Sequence, residues 1–199
     1  MRLIIFTRYP EAGKVKTRLI PALGEKGAEL LHRKMVEHTM TRVSSFEGEV
    51  EVHFTGGSHD LMKGWLGNQF QYRRQEGGCL GERLYNSVAE AFTENKKKVV
   101  VIGTDCPGLT LNHVKKAFRL LDRSDLVIGP AYDGGYYLIG LNKLFKELFQ
   151  NITWSSSLVY RQTIKAAEQV NLQTADLEKL ADIDCPADLP LWETVKNQL

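Results

Sequence analysis

Apolar residues occur along the chain in short runs and at regular spacings, and these patterns predict the elements of the fold. Val99–Ile102 is a run of four β-branched residues that follows a charged stretch. A short segment that is apolar at every position is typical of a strand buried on both faces, so we expect it at the centre of a parallel sheet. Residues 2–7 have the same character and predict a first strand, also central.

Other segments show the spacings of amphipathic elements. Residues 49–54 alternate polar and apolar side chains, which predicts a strand that is half exposed or lies toward a sheet edge. Residues 69–75 predict another polar strand. In residues 25–43, Ala28, Leu31 and Met35 lie on one helical face, which predicts a long helix.

The second half of the chain continues the alternation of strands and helices. Residues 126–129 predict a strand, and residues 136–140 a strand that returns beside it after the turn at Asp133-Gly134. Shorter helices are expected around residues 60–66, 84–92, 114–121, 159–166 and 187–195. This alternation predicts a single α/β domain over residues 1–199, with a mostly parallel central sheet.

Composition narrows the class of protein. The chain has 199 residues, 43% apolar and 25% charged, which is typical of a globular domain with a sizeable core. A net charge of +2 gives no electrostatic reason to expect nucleic acid or a membrane as a partner. The apolar run at the N-terminus is too short for a signal peptide, so we expect a cytoplasmic protein. The oligomeric state stays open.

A basic stretch follows the first predicted strand. Arg8, Lys14, Lys16 and Arg18 lie within eleven positions, together with Gly13. Glycine allows close approach of the backbone to a ligand, and the basic side chains supply charge and donors for an anion. The stretch is not a Walker loop, because Gly13-Lys14 is followed by valine. A solvated surface loop is the alternative interpretation.

Two aspartates occupy similar sequence contexts. Asp105 follows the central strand in Asp105-Cys106-Pro107, and the same tripeptide recurs as Asp184-Cys185-Pro186. Ligands of open α/β sheets bind at the carboxyl ends of the strands. We therefore predict that both carboxylates hold one Mg²⁺ or Mn²⁺, an ion that takes one or two carboxylates with phosphate and water. The alternative for Asp105 is that it only caps a turn or the following helix.

The following motifs together carry a resemblance to a known family: Phe6-Thr7-Arg8-Tyr9-Pro10, Gly13-Lys14-Val15-Lys16-Thr17-Arg18-Leu19, Pro21-Ala22-Leu23-Gly24, Gly103-Thr104-Asp105-Cys106-Pro107, Asp133-Gly134-Gly135-Tyr136-Tyr137-Leu138-Ile139-Gly140 and Asp182-Ile183-Asp184-Cys185-Pro186-Ala187-Asp188-Leu189. The chain resembles a bacterial family of nucleotide-diphospho-sugar transferase-like proteins with the GT-A fold, some of them labelled arsenosugar-biosynthesis glycosyltransferases. It is distantly similar to the guanylyltransferases for molybdenum cofactor and phospholactate. The resemblance implies a three-layer α/β/α fold.

The resemblance also implies roles for individual residues. The expected nucleotide-binding residues are Arg8, Gly13, Lys14, Thr17, Gly78, Leu80, Gly81 and Asp105. Lys16 and Arg18 would meet the phosphates as catalytic residues, and Asp105 and Asp184 would be the metal ligands. The loop at Gly78 departs from the family's usual Gly-Asp-Leu-Gly, because Cys79 replaces the aspartate.

Two reactions fit these residues, each with a nucleotide or nucleotide sugar and a small-molecule acceptor as partners. In nucleotidyl transfer, an acceptor phosphate attacks a nucleoside triphosphate, and catalysis is positioning and charge neutralisation. In inverting glycosyl transfer, an acceptor hydroxyl needs a general base, for which Asp133 is the candidate. The alternative is a non-catalytic nucleotide-binding regulatory module.

The three cysteines lack CxxC spacing, which argues against a disulfide framework or a structural zinc site. Cys79, Cys106 and Cys185 each lie in a segment assigned to the site. A side hypothesis is that their thiols converge in a pocket for a soft metal.

Overall fold

The structure of the protein is a computed structural model that describes residues 1–196. The fold is built on one seven-stranded sheet. The strands are β1 (Arg2–Arg8), β2 (Glu49–Thr55), β3 (Gln71–Arg74), β4 (Val99–Ile102), β5 (Leu126–Pro130), β6 (Tyr136–Leu141) and β7 (Thr174–Asp176). Their order is β3-β2-β1-β4-β6-β5-β7, and within residues 1–196 β6 alone runs antiparallel to its neighbours. The mostly parallel sheet with β4 at its centre is confirmed.

Helices cover both faces of this sheet. They are α1 (Ile20–Val43), α2 (His59–Leu66), α3 (Leu80–Thr93), α4 (Leu111–Leu120), α5 (Val159–Gln169) and α6 (Leu189–Lys196). α1 begins earlier than the apolar spacing predicted and bends at Gly24, where φ is 68°. Across residues 1–196, none of these helices has the length and apolar character needed to cross a membrane.

The core has two main layers because successive side chains of a strand point to opposite faces. Leu3 and Ile5 of β1 pack with α1, α2 and α4, while Ile4 packs with α3 and α5. The same alternation divides the apolar run of β4 between the two layers. The expected three-layer α/β/α arrangement is therefore confirmed.

A third apolar cluster ties two distant segments of the chain together. Leu19, just before α1, and Ile183, just before α6, are both fully buried and pack with Met35 and Trp192. Burying an apolar side chain of this size contributes about 1.5–3 kcal/mol. The cluster therefore fixes the basic segment before α1 against the segment that carries Asp184.

β2 lies next to the edge strand β3, as one of the two interpretations predicted, but two of its polar side chains are buried. Glu51 and His53 are each 1% exposed, because α3 covers the face that was expected to be solvated. Glu51 lies 3.2 Å from Arg2, and the His53 ring bridges Glu51 Oε2 at 3.0 Å and Ser87 Oγ at 2.8 Å. Burial of these charges is tolerated because each one has a partner.

The helix predicted around residues 84–92 begins earlier than expected. α3 begins at Leu80, and Cys79 is its N-cap, with its sulfur accepting a hydrogen bond from the backbone of Glu82. Leu80 and Gly81 therefore belong to the first turn of a helix.

His38 of α1 holds the chain that follows β4. Its Nε2 lies 3.0 Å from the carbonyl oxygen of Pro107, and its buried Nδ1 has no hydrogen-bond partner among residues 1–196. Burial, together with the positive charge of Arg42, lowers the pKa of His38 below 6.5.

The free energy of unfolding should therefore fall as the pH drops below about 6.5, because unfolded His38 binds a proton there and folded His38 does not. In His38→Gln, whose amide can still donate to Pro107, the pH dependence should be smaller. Urea unfolding at pH 5.5 and 7.5 measures the difference, with His59→Gln on exposed α2 as the control. An unchanged difference in His38→Gln would contradict the prediction.

Candidate functional site

A cavity of about 570 Å³ opens at the carboxyl ends of β1 and β4. Its wall runs from Thr7 and Arg8 on β1, through Thr104 and Asp105 after β4, to the segment before α5. Ligands bind at this edge in open α/β sheets because the strands end there and leave backbone groups and loops free to form a site.

A second cavity of about 280 Å³ is formed by the basic segment before α1. Four basic side chains line it: Arg8, Lys14, Lys16 and Arg18. The two cavities have five wall residues in common: Arg8, Arg18, His32, Asp105 and Asp184. A ligand in the larger cavity could therefore extend a charged group into the basic one.

Lys16 is the most constrained of the basic residues. Its side chain is only 5% exposed, and its Nζ lies 2.9 Å from Asp105 Oδ1 and 2.9 Å from Asp184 Oδ1. The same nitrogen donates to the carbonyl oxygen of Ile183 at 2.5 Å. An ammonium group has three N–H donors, so all three are in use. Burial alone would lower the pKa of Lys16, yet the two carboxylates raise it, and the group stays charged.

Backbone contacts bring these three residues together. The amide of Ile183 donates to the carbonyl oxygen of Asp105 at 2.9 Å, which places Asp184 beside the end of β4. Lys16 has a left-handed backbone, with φ 46° and ψ 44°, which is uncommon for a residue with a side chain. The two aspartates predicted to share a cation thus face one point, and the cation between them is the Lys16 ammonium.

The other basic side chains remain open to solvent. Arg18 is 69% exposed, and its Nη1 lies 3.3 Å from Asp184 Oδ2. Lys14 is 68% exposed and pairs with Glu11 at 2.6 Å. Arg8 donates to the carbonyl oxygen of Lys14 at 3.0 Å, which holds the segment in a curve around the smaller cavity. These groups can meet an anion without breaking a buried contact.

Two more carboxylates line the larger cavity. Asp133 is exposed, and its Oδ1 accepts a hydrogen bond from the amide of Gly135 at 2.7 Å. Asp182 was not assigned from the sequence. Burial and the nearby Asp133 and Asp184 carboxylates raise the pKa of Asp182 to about 6. The signal that could have found it is its position two residues before Asp184 in the same extended segment.

His32 is another wall residue that was not assigned from the sequence. It is 6% exposed, and its Nε2 lies 2.9 Å from the carbonyl oxygen of Arg8. Burial lowers the pKa of His32, which favours a neutral ring. The only sequence signal is its place beside Leu31 on the buried face of α1. Its contact fixes the point where β1 ends and the basic segment begins.

The remaining predicted residues divide between the cavity walls and their surroundings. Leu80 lines the larger cavity and Thr17 the smaller one. Gly13, with φ of 77°, lies against the Glu25 side chain rather than in the wall of either cavity. The amide of Gly78 donates to Glu82, and Gly81 packs against Trp154. A nucleotide-binding role for the three glycines stays a prediction.

The soft-metal hypothesis is wrong for the part of the chain that the structure describes. Within residues 1–196, no group of three or more His, Cys, Asp or Glu side chains could hold a metal ion. The sulfur atoms of Cys79 and Cys185 accept hydrogen bonds at helix starts, and Cys106 is buried. Burial raises the pKa of the Cys106 thiol, which opposes thiolate formation.

Comparison with known proteins identifies relatives over nearly the whole chain. The sequence model of a family described as uncharacterized proteins conserved in bacteria (DUF2064) matches residues 39–156. A candidate nucleotide-diphospho-sugar transferase from Desulfovibrio desulfuricans G20 is 35% identical, and its crystal structure matches with a TM-score of 0.92 over 98% of this chain and 88% of that chain.

Two relatives are more distant. A 2-phospho-L-lactate guanylyltransferase from Methanocaldococcus vulcanius is 24% identical over 191 residues, which cover 94% of this chain and 82% of that protein. A nucleotidyl transferase from Methanothermobacter is 15% identical, with a TM-score of 0.68 over 99% of both chains, and shows the fold alone.

The packing of Trp154 into the cavity wall can be tested at Gly81. A Cβ atom at Gly81 would lie 2.3 Å from Trp154 Nε1, so Gly81→Ala should lower the free energy of unfolding by about 1–3 kcal/mol. Gly64→Ala on exposed α2 is the matched control, because nothing lies within 4 Å of its added Cβ. The control should be neutral or more stable by about 0.5–1 kcal/mol. Equal stabilities in urea unfolding would contradict this packing.

Proposed function

We propose that this chain, which belongs to the DUF2064 family of bacterial proteins and has the nucleotide-diphospho-sugar transferase fold, transfers a nucleotidyl group from a nucleoside triphosphate to a phosphorylated small molecule. Asp105 and Asp184 would hold Mg²⁺ or Mn²⁺. The guanylyltransferase named among the relatives supports a nucleotide donor, and the matching fold supports a transferase.

The observation that carries the proposal is the basic cavity beside the paired aspartates. Arg8, Lys14 and Arg18 line this basic cavity, which adjoins the larger cavity, and the larger cavity has room for a nucleoside. A chain of three phosphates needs several positive charges close together, because each phosphate carries negative charge that must be neutralised. The local concentration of basic groups therefore favours a triphosphate.

The residues present fit a hard divalent cation. Asp105 and Asp184 direct one carboxylate oxygen each at the same point, and their side chains are 50% and 40% exposed. Mg²⁺ and Mn²⁺ prefer oxygen ligands, and Mg²⁺ commonly binds through one or two carboxylates plus substrate phosphates. When bound, the ion would supply positive charge beside the phosphates.

In this reaction the protein mainly positions the two substrates and neutralises charge. An oxygen of the acceptor phosphate attacks the α-phosphorus, the bond between the α-phosphorus and the bridging oxygen breaks, and pyrophosphate leaves. An ionised phosphate carries its own electron pair and needs no general base. Arg18 and Lys14 would neutralise charge on the departing pyrophosphate, and Lys16 would add to them once it is free of the aspartates.

Glycosyl transfer is the second candidate, and the position of Asp133 favours it. Asp133 is exposed in the wall of the larger cavity, where its carboxylate could accept the proton of an attacking hydroxyl. The bond from the sugar to the nucleoside diphosphate would then break. The name of the 35% identical relative also supports this reaction.

A thermal-shift panel of nucleotides and nucleotide sugars, with Mg²⁺ or Mn²⁺, should identify the donor, and product analysis then decides the reaction. We expect release of pyrophosphate from a nucleoside triphosphate in the presence of a phosphorylated acceptor. Release of a nucleoside diphosphate would instead establish glycosyl transfer. Donor binding without either product would identify a non-catalytic nucleotide-binding module.

Asp105→Asn should lower the metal-dependent turnover by about 100-fold or more, since it removes one of the two carboxylates that would hold the metal ion beside the phosphates. Asp60→Asn is the control, because Asp60 is exposed on α2 and lies in neither cavity wall. Full activity of Asp105→Asn would exclude a catalytic metal role for this carboxylate.

A further inference from the structure

We propose that Lys16 is a built-in cation that occupies the point between Asp105 and Asp184 and must leave it before a divalent metal can bind there. The inference rests on the proposed function, in which these carboxylates hold the metal. It adds a feature of this chain's own residues: Lys16 alternates between the aspartates and the nucleotide phosphates.

The ammonium group of Lys16 has no free donor. Lys16 uses its three donors on Asp105, Asp184 and the carbonyl oxygen of Ile183, and its side chain is 5% exposed. In this arrangement no donor is left for a phosphate. Lys16 can therefore act on a nucleotide only after it releases at least one of these partners.

The two aspartates depend on the positive charge between them. Their Oδ1 atoms lie equally far, at 2.9 Å, from one nitrogen atom, so the two negative charges face each other across it. Removal of the ammonium would leave like charges close together, which raises the free energy of the ionised pair. Departure of Lys16 is therefore favourable only when another cation replaces it.

The chain around Lys16 permits such an exchange. Lys16 lies in an irregular segment between β1 and α1, and its left-handed backbone stores strain of roughly 1 kcal/mol or more. Val15 and Leu19, which flank Lys16 in the sequence, are both buried, so the backbone on either side of Lys16 stays fixed. Movement of the Lys16 side chain alone can carry its charge from the aspartates toward the basic cavity.

The consequence is positive coupling between metal and nucleotide. Without a nucleotide, a metal ion has to displace the Lys16 ammonium, and the displaced ammonium has no phosphate to bind. The metal ion alone should therefore bind weakly. A nucleoside triphosphate gives Lys16 new acceptors, and the metal takes the place that Lys16 leaves. Each ligand therefore raises the affinity of the other.

Mn²⁺ binding in the absence of nucleotide tests the proposal, with free Mn²⁺ measured by electron paramagnetic resonance. Lys16→Met should bind Mn²⁺ about tenfold or more tightly than the wild type, because it removes a positive charge within about 4 Å of the ion position. Lys14→Met is the matched control: Lys14 lines the same cavity but pairs with Glu11, and this variant should bind Mn²⁺ as the wild type does. The gain in Lys16→Met should disappear in Lys16→Met/Asp105→Asn.

The other outcomes overturn the inference in distinguishable ways. The wild type could bind Mn²⁺ as tightly as Lys16→Met, with Asp105→Asn abolishing Mn²⁺ binding in both proteins. Lys16 then does not compete with the metal, but the proposed metal site stands. If Lys16→Met gains no more affinity than Lys14→Met, the effect is one of general charge. If neither protein binds Mn²⁺, both the inference and the metal dependence of the proposed function fail.

A measurement on the wild type covers the case in which Lys16→Met does not fold. With ¹⁵N-labelled lysine, the NMR signal of the Lys16 ammonium, assigned through Lys16→Arg, should be protected from exchange with water. Mg²⁺ alone should leave it in place, whereas Mg²⁺ with GTP should shift or remove it. A signal unchanged by the combination, when a thermal shift shows that GTP is bound, would overturn the exchange.

Discussion

The arrangement of the site depends on one buried positive charge. The ammonium group of Lys16 joins the segment before α1, the end of β4 and the segment before α6, which are far apart along the sequence. A buried ammonium is costly unless it is paired and hydrogen-bonded, and here two carboxylates and a carbonyl oxygen offset that cost. The same contacts hold Asp105 and Asp184 at a separation suited to a shared cation.

Apolar packing makes this arrangement possible. Leu19 and Ile183 meet in one cluster against α1, and the amide of Ile183 bonds to the carbonyl oxygen of Asp105. Charged groups by themselves do not specify a unique geometry, because exposed ion pairs contribute little. This apolar cluster and the sheet position the backbone, so that the acceptors of the Lys16 ammonium lie at hydrogen-bonding distance from it.

The molecule contains a second buried charge network, which differs from the first in its surroundings. Arg2, Glu51, His53 and Ser87 lie between the sheet and α3, and none of them lines either cavity of the site. The Lys16 network borders both cavities, through residues that are partly exposed. The same pairing of buried charges therefore stabilises the fold at one place and leaves chemical groups accessible at the other.

The sequence by itself determined the order and type of most elements and the central place of β4, since these follow from local periodicity. The motifs also located Asp105, Asp184 and the basic segment that adjoin one another in the structure. Only the tertiary structure decided that Glu51 and His53 are buried, because burial of a polar face depends on which helix covers it. It also showed that Lys16 lies between Asp105 and Asp184, and that Asp182 lies in the cavity wall. The surroundings of these charged groups depend on segments that meet only after the chain has folded.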